Sequence, residues 1–259
     1  MVASPLVSPE AAEAANEGPI LAIERQQDDM RDTGAHAHAP GQLIGSLNGL
    51  VSILAPQGRW VLPATHAMWI PPHVVHGLRS HGPFRGWSVY VVEQACAALP
   101  MQPRTLRVSS LLRELIHRAA GWHRIPESRA ERQLAQVLLN EIASLPEEPL
   151  GLPHPREVRL KRITDAVLAD LSDNRQVEYW AAWAGIPPRT LARRFLNETG
   201  FSLAAWRQRA RVLRAIEMLA EGKMVTTIAI DLGYHNVSAF IAMFRRVMGT
   251  TPSRHGWIS

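Results

Sequence analysis

LARRFLNETGFSLAAWRQRARVLRAIEML (residues 191–219) and IAIDLGYHNVSAFIAMFRRVMGTTPSRH (residues 228–255) close two units built on one skeleton. The first unit runs Trp180-Ala181, then Gly185, then Leu191 and Phe195, then Gly200; the second runs Ile228-Ala229, then Gly233, then Phe240 and Phe244, then Gly249. In a helix-turn-helix a small residue lets two helices approach, and a glycine in the turn supplies a positive φ that other residues resist. The second unit is one residue longer before its last phenylalanine, so the pair is a pseudo-repeat. One such pattern is imitated by any helical hairpin with a glycine turn, but two in register are specific. Between them, Leu203, Trp206, Ala210, Leu213, Ile216 and Ala220 recur every three or four residues, which predicts one helix holding the two units apart. Its opposite face carries Arg207, Arg209, Arg211 and Arg214, either merely solvated or touching phosphate.

Charge supports a division of labour. Residues 1–150 hold 12 Arg and no Lys against 14 acids, whereas residues 151–259 hold 14 Arg and 2 Lys against 9 acids, a net of +7 beside a net of −2. A basic half joined to a mildly acidic half is the footprint of a nucleic-acid-binding domain attached to a non-binding one. The 259 residues favour about two domains, and 46% hydrophobic with 20% charged residues excludes disordered, collagenous and disulfide-stapled classes. No window approaches the ~18 uninterrupted apolar residues of a membrane span. The first residues have neither a basic start nor an apolar run, so no secretory signal is expected and the cytoplasm is the expected compartment. The lone Cys96 is read as a small apolar residue.

The two quoted stretches carry a resemblance to the DNA-binding domain of the AraC/XylS family of bacterial transcription regulators, over roughly the last 100 residues. Leu191 and Phe195 must face the core, which leaves Arg189, Ala192 and Arg193 pointing outward near the start of the first recognition helix. The resemblance implies that these reach base edges in the major groove. Arginine pairs bidentately with guanine O6 and N7, so Arg189 and Arg193 are the leading base readers. Thr190 and Arg194 are candidates for phosphate or intramolecular contacts. In the second unit the resemblance places Asn236, Ser238, Ala239, Ala242, Arg245 and Arg246 toward DNA. Ala242 stands where many relatives carry arginine, so the first unit is expected to discriminate sequence while Arg245 and Arg246 hold phosphate.

The fold class expected is α+β and multidomain, with an N-terminal cupin-like β-barrel plus helices and a C-terminal all-α double helix-turn-helix domain. Residues 1–19 read as a disordered tail. Residues 20–145 read as a cupin-like effector-sensing and dimerisation domain, 146–156 as a linker, and 157–259 as the DNA-binding domain. Short apolar runs at Leu43–Leu47, Val51–Leu54, Trp60–Leu62, Met68–Ile70, Val74–Leu78 and Trp87–Val92 are separated by breakers such as Asn-Gly and Pro-Pro, as in a small barrel or sandwich. Helical spacing follows at Leu111, Leu112, Leu115, Ile116 and Ala119. A second helix opens at Ser128 with Glu131 in capping-box position and carries Leu134, Val137, Leu138, Ile142 and Leu145. Such helices either cover the barrel or pair with another subunit. Pro146, Pro149, Pro153 and Pro155 make the linker semi-rigid.

Six of the eleven histidines fall between His36 and His81. An HxH pair on a strand, His36 and His38, presents two imidazoles to one side. The arrangement resembles the cupin fold found ahead of the DNA-binding domain in many of these regulators. In cupin enzymes such an HxH, a following carboxylate and a later histidine hold a metal, and the matching positions here are His36, His38, Gln42 and His76. Gln42 in place of a carboxylate removes the anionic ligand. Three uses stay open for these effector-binding candidates: a divalent metal site, a metal-free effector pocket, or structural hydrogen bonding. No cofactor is required by the reading, and no catalytic residue is assigned. His66, His73 and His81 read as turn or surface residues.

The function expected is a sequence-specific transcription regulator controlled by a small effector. Its expected partners are double-stranded promoter DNA, a second copy of the chain and RNA polymerase. A cupin metalloenzyme with an accessory helical domain is the alternative; non-specific DNA compaction is disfavoured by the modest charge.

Overall fold

The computed structural model describes residues 18–148 and 151–252. The tail expected over 1–19 therefore lies, apart from Gly18 and Pro19, outside the described residues, as do linker residues 149–150 and the last seven residues. The chain divides into two compact units, one formed by residues up to Gly151 and the other by Leu152 onward together with Gln57–Arg59.

The N-terminal unit is built on eight strands: β1 (Ile20–Gln27), β2 (Gly41–Asn48), β3 (Val51–Ala55), β4 (Gly58–Leu62), β5 (His66–Ile70), β6 (Gly77–Ser80), β7 (Phe84–Val91) and β8 (Arg104–Arg107). One sheet has the order β1-β7-β2-β5-β8; the other has the order β6-β3-β4-β9, where β9 is the short strand Gly151–Pro153 within the proline-rich stretch. Pro153 is compatible with a strand there because β9 lies at a sheet edge, where a missing N–H breaks no ladder. The five-stranded sheet is covered on both faces, so β2 and β7 are buried at nearly every position, polar Gln42, Ser46 and Ser88 included. Ile44, Met68, Ile70 and Phe84 join Val51, Ile53, Trp60, Leu62 and Leu78 in the core between the sheets. Leu43, Trp69, Trp87, Val89 and Val91 point the other way, into a core completed by helices.

Those helices are α1 (Ser110–Ala120) and α2 (Arg129–Ser144). Ser128 and Glu131 form the reciprocal capping box at the start of α2, satisfying two orphan backbone donors. The stripe on α2 has one destination: Ala135, Leu138, Leu139 and Ile142 are buried against the sheet with Leu112, Leu115 and Ile116 of α1. Val137 stays outside that seam and is 46% exposed.

The C-terminal unit is helical: α3 (Val158–Ala169), α4 (Val177–Ala184), α5 (Pro188–Thr199), α6 (Leu203–Ala220), α7 (Val225–Asp231) and α8 (Val237–Met248). Helix α6 is its axis, in contact with α5, α7 and α8. It is buried nearly all round from Ala210 to Leu219, as a helix shared by two hairpins must be. Trp206 meets Phe195 edge-on, with ring centroids 6.0 Å apart, and its Nε1 donates to Pro153 O at 2.7 Å.

Candidate nucleic-acid interface and histidine cluster

The turn between α4 and α5 begins at Gly185, whose φ of 64° is left-handed and whose missing Cβ would meet nothing within 4 Å. Glycine is needed there for the backbone alone. Gly233, between α7 and α8, has both reasons: its φ is 76°, and a Cβ would lie 2.4 Å from Ser172 O. Leu191 and Phe195 of α5 are fully buried, which fixes the rotation of that helix. Arg189, Ala192 and Arg193 consequently lie on its exposed side near its N-terminal end, with Thr190 half-buried beside them. Neither Arg189 nor Arg193 is engaged by another described residue. Arg194 differs: its Nη1 donates to both carboxylate oxygens of Glu157 at 3.1 Å, holding α5 to the start of α3.

On α8, Phe240, Met243 and Phe244 are buried, and Ser238, Ala239, Ala242, Arg245 and Arg246 are exposed. Ser238, Ile241, Ala242, Arg245, Arg246 and Thr251 line an open cleft. Asn236 is the N-cap, with Oδ1 accepting from Ala239 N at 2.8 Å, so its oxygen serves the helix start. Arg246 donates to Gln208 Oε1 at 2.9 Å and stays exposed.

The arginines of α6 are not an outward phosphate row. Arg211 is 5% exposed, and its guanidinium donates to Leu171 O at 2.7 Å, Asp173 O at 3.1 Å and Asn174 Oδ1 at 2.9 Å. Arg207 donates to Arg175 O at 2.7 Å and Asp173 O at 3.3 Å. Arg214 donates to Glu217 and Glu221, and Arg209 stacks over Phe201 at 5.4 Å. The helix is enclosed on more sides than a single apolar stripe predicts, so its arginines tie the α3–α4 loop and their own helix. Arg207 and Arg211 are held largely by backbone carbonyls, which side-chain patterns do not reveal.

In the N-terminal unit, His36, His38, Gln42 and His76 come together. His36 and His76 exchange backbone hydrogen bonds of 2.9 and 2.8 Å, which brings their rings to 4.5 Å between centroids. Gln42, in register with Tyr90 across β2 and β7, shares the inner face of its sheet with Ile44. Its Oε1 lies 3.0 Å from His76 Nε2 and 3.3 Å from His38 Nε2, and its Nε2 donates to Ser88 Oγ at 2.9 Å and Tyr90 Oη at 3.2 Å. Burial pushes the His76 imidazole down to about 4, lowers that of His38, and pushes the Tyr90 hydroxyl up to about 12. Ser88 and Tyr90 were not singled out from the sequence; their signal was the alternation Trp87-Ser88-Val89-Tyr90, which puts two polar groups on one face of a buried strand. His81 is no surface residue: it is 4% exposed and its Nε2 lies 2.8 Å from Ser52 Oγ. His66 pairs with Glu148 at 2.8 Å, whereas His73 sits in a turn with φ 61°.

Comparison with known proteins covers both units. The model of a helix-turn-helix domain matches residues 180–255, and that of an AraC-like ligand binding domain matches residues 18–143. The HTH-type transcriptional regulator NimR of Escherichia coli (strain K12) is 32% identical over 230 residues, 88% of this chain and 83% of that protein. The HTH-type transcriptional regulator RipA of Corynebacterium glutamicum is 34% identical over 102 residues, 39% of this chain and 30% of that one. Among solved structures, ToxT from Vibrio cholerae matches over 91% of this chain and 97% of its own at 10% identity, with a TM-score of 0.39.

Proposed function

Because this chain belongs to the AraC family of DNA-binding transcription regulators, with an N-terminal ligand-binding domain and no enzymatic role, we propose that it selects its promoter sites chiefly through Arg189 and Arg193 of α5. The observation that carries this reading is the contrast between these two arginines and their neighbours. Arg194, Arg207, Arg211 and Arg214 are committed to carboxylates or carbonyls. Arg189 and Arg193, one helical turn apart, are exposed and have no partner among the described residues. An uncommitted guanidinium can offer two parallel donors to guanine without breaking a bond inside the protein. On α8, Ser238, Ala239 and Ala242 offer small surfaces suited to a thymine methyl, while Arg245 and Arg246 supply charge for phosphate.

The effector is proposed to bind at the inner face of the N-terminal barrel, against His36, His38, Gln42 and His76. A ligand changes regulation only as far as it binds two arrangements of the protein unequally. The working form is proposed to be a cytoplasmic homodimer joined through the outer side of α2, with RNA polymerase as the other protein partner.

Selection of bound duplexes from a random pool by the full chain tests sequence reading directly. The expected result is an enriched site spanning two major-groove segments about one turn, roughly 34 Å, apart on one face. A pool that stays random, with affinity set by length and salt alone, would put non-specific compaction in its place.

A further inference from the structure

Two sides of α5 are taken up inside the C-terminal unit. Leu191, Phe195 and Thr199 are buried in its core. Arg194 and Glu198, one turn apart, hold the chain at the start of α3: Arg194 donates to the Glu157 carboxylate, and Glu198 Oε2 accepts from Arg156 N at 2.6 Å and Glu157 N at 3.1 Å. What remains is an outward arc of Arg189, Ala192, Arg193, Leu196 and Asn197, all exposed.

Leu196 stands near the middle of that arc. At 3.6 residues per turn it lies about 20° from Arg189, about 40° from Ala192 and about 60° from Arg193. It is 52% exposed, a large apolar side chain held in water beside two cations. A single exposed leucine means little by itself; here its place on the recognition helix gives it a task. In a helix each Cα–Cβ bond tilts toward the N-terminus, so a side chain covers the turn before its own. Leu196 therefore leans over Ala192, whose lone methyl leaves it room, and toward the end of α5 that carries Arg189 and Arg193. Ala192 and Leu196 make one apolar strip running alongside the two guanidiniums.

We propose that Leu196, seated against Ala192, is a specificity residue that packs on the C5-methyl of a thymine in the major-groove segment entered by α5. The inference rests on the reading of α5 as the helix whose Arg189 and Arg193 pair with guanine. Among the groups that distinguish base pairs in the major groove, the thymine methyl is the apolar one. The same strip set over the amino group of cytosine or adenine would take water from a donor and offer no acceptor in return. The arginines thus select guanine, and the strip beside them selects thymine at a neighbouring base pair.

The test uses the full chain and a duplex selected from a random pool, with each thymine of the α5 segment replaced in turn by deoxyuridine, which lacks only the methyl group. For the parent, one such replacement should weaken binding about three- to fourfold, the worth of one buried methyl. Leu196→Ala, at an exposed site, should keep the parent's melting temperature, bind the thymine duplex at least about threefold more weakly, and no longer distinguish thymine from deoxyuridine. A parent indifferent to every replacement, a selected segment without thymine, or a Leu196→Ala variant that still loses affinity with deoxyuridine would overturn the proposal. If Arg193→Ala nevertheless loses its preference at a G·C pair, the base reading by α5 stands and the thymine contact alone falls. A pool that stays random overturns both.

Discussion

Replacing Arg211 by alanine distinguishes two accounts of the basic face of α6. If the side chain is a phosphate contact, its loss weakens DNA binding and spares the fold. In the structure it does the opposite work, bridging α6 to the α3–α4 loop with three hydrogen bonds of 2.7–3.1 Å. Hydrogen bonds to a charged group contribute about 1.5–3 kcal/mol each. Their sum is an upper bound, because Leu171 and Asp173 are half-buried and Asn174 is exposed, so water recovers part of the loss. A net cost of about 2–4 kcal/mol remains. At about 4 °C per kcal/mol for a unit of this size, the melting temperature of the C-terminal unit should fall by about 8–16 °C. Calorimetry of the full chain reads that shift, and DNA affinity measured from low to high salt reads the alternative. An unchanged melting temperature with a salt slope reduced by about one would refute the reasoning and restore the phosphate contact.

Gly233→Ala should destabilise the chain more than Gly185→Ala, since both suffer a left-handed backbone, worth about 1–2 kcal/mol, but only Gly233 also forces a Cβ onto Ser172 O; equal melting temperatures would contradict this. Light scattering at micromolar concentration should give the mass of a dimer for the parent. Val137→Glu, at an exposed site on α2, should give a monomer with an unaltered melting temperature, and a parent that scatters as a monomer would remove the dimer.

Much of the C-terminal unit was legible because its constraints are local. A glycine at fixed distance from a small residue and two core aromatics specifies a helical hairpin, and Gly185 and Gly233 both have the positive φ that this reading requires. The partners of the arginines were not legible, because Arg211 is held by carbonyls 37 to 40 residues away. In the N-terminal unit, apolar runs pointed to β2, β3, β4, β5 and β7. Edge strand β1 went unseen because most of its second half, Glu24-Arg25-Gln26-Gln27, is polar and partly exposed. Four-residue β8 is too short to give a period. Val74–Leu78 read as one strand, but β6 starts only at Gly77; His76 before it makes an isolated bridge to His36. The pattern could not show which way α2 faced, since a helical stripe names no partner; the structure turns it onto the sheet.

The claim that α5 reads bases is tested most directly by measuring the parent and Arg193→Ala against a selected duplex and a panel in which each base pair is changed in turn. A bidentate guanine contact discriminates by about 1–3 kcal/mol, or about 5- to 140-fold in affinity. The account predicts that Arg193→Ala loses this preference at one G·C pair while keeping the others, and that Arg246→Ala weakens every duplex by a similar factor. A uniform loss across the panel for Arg193→Ala would contradict it.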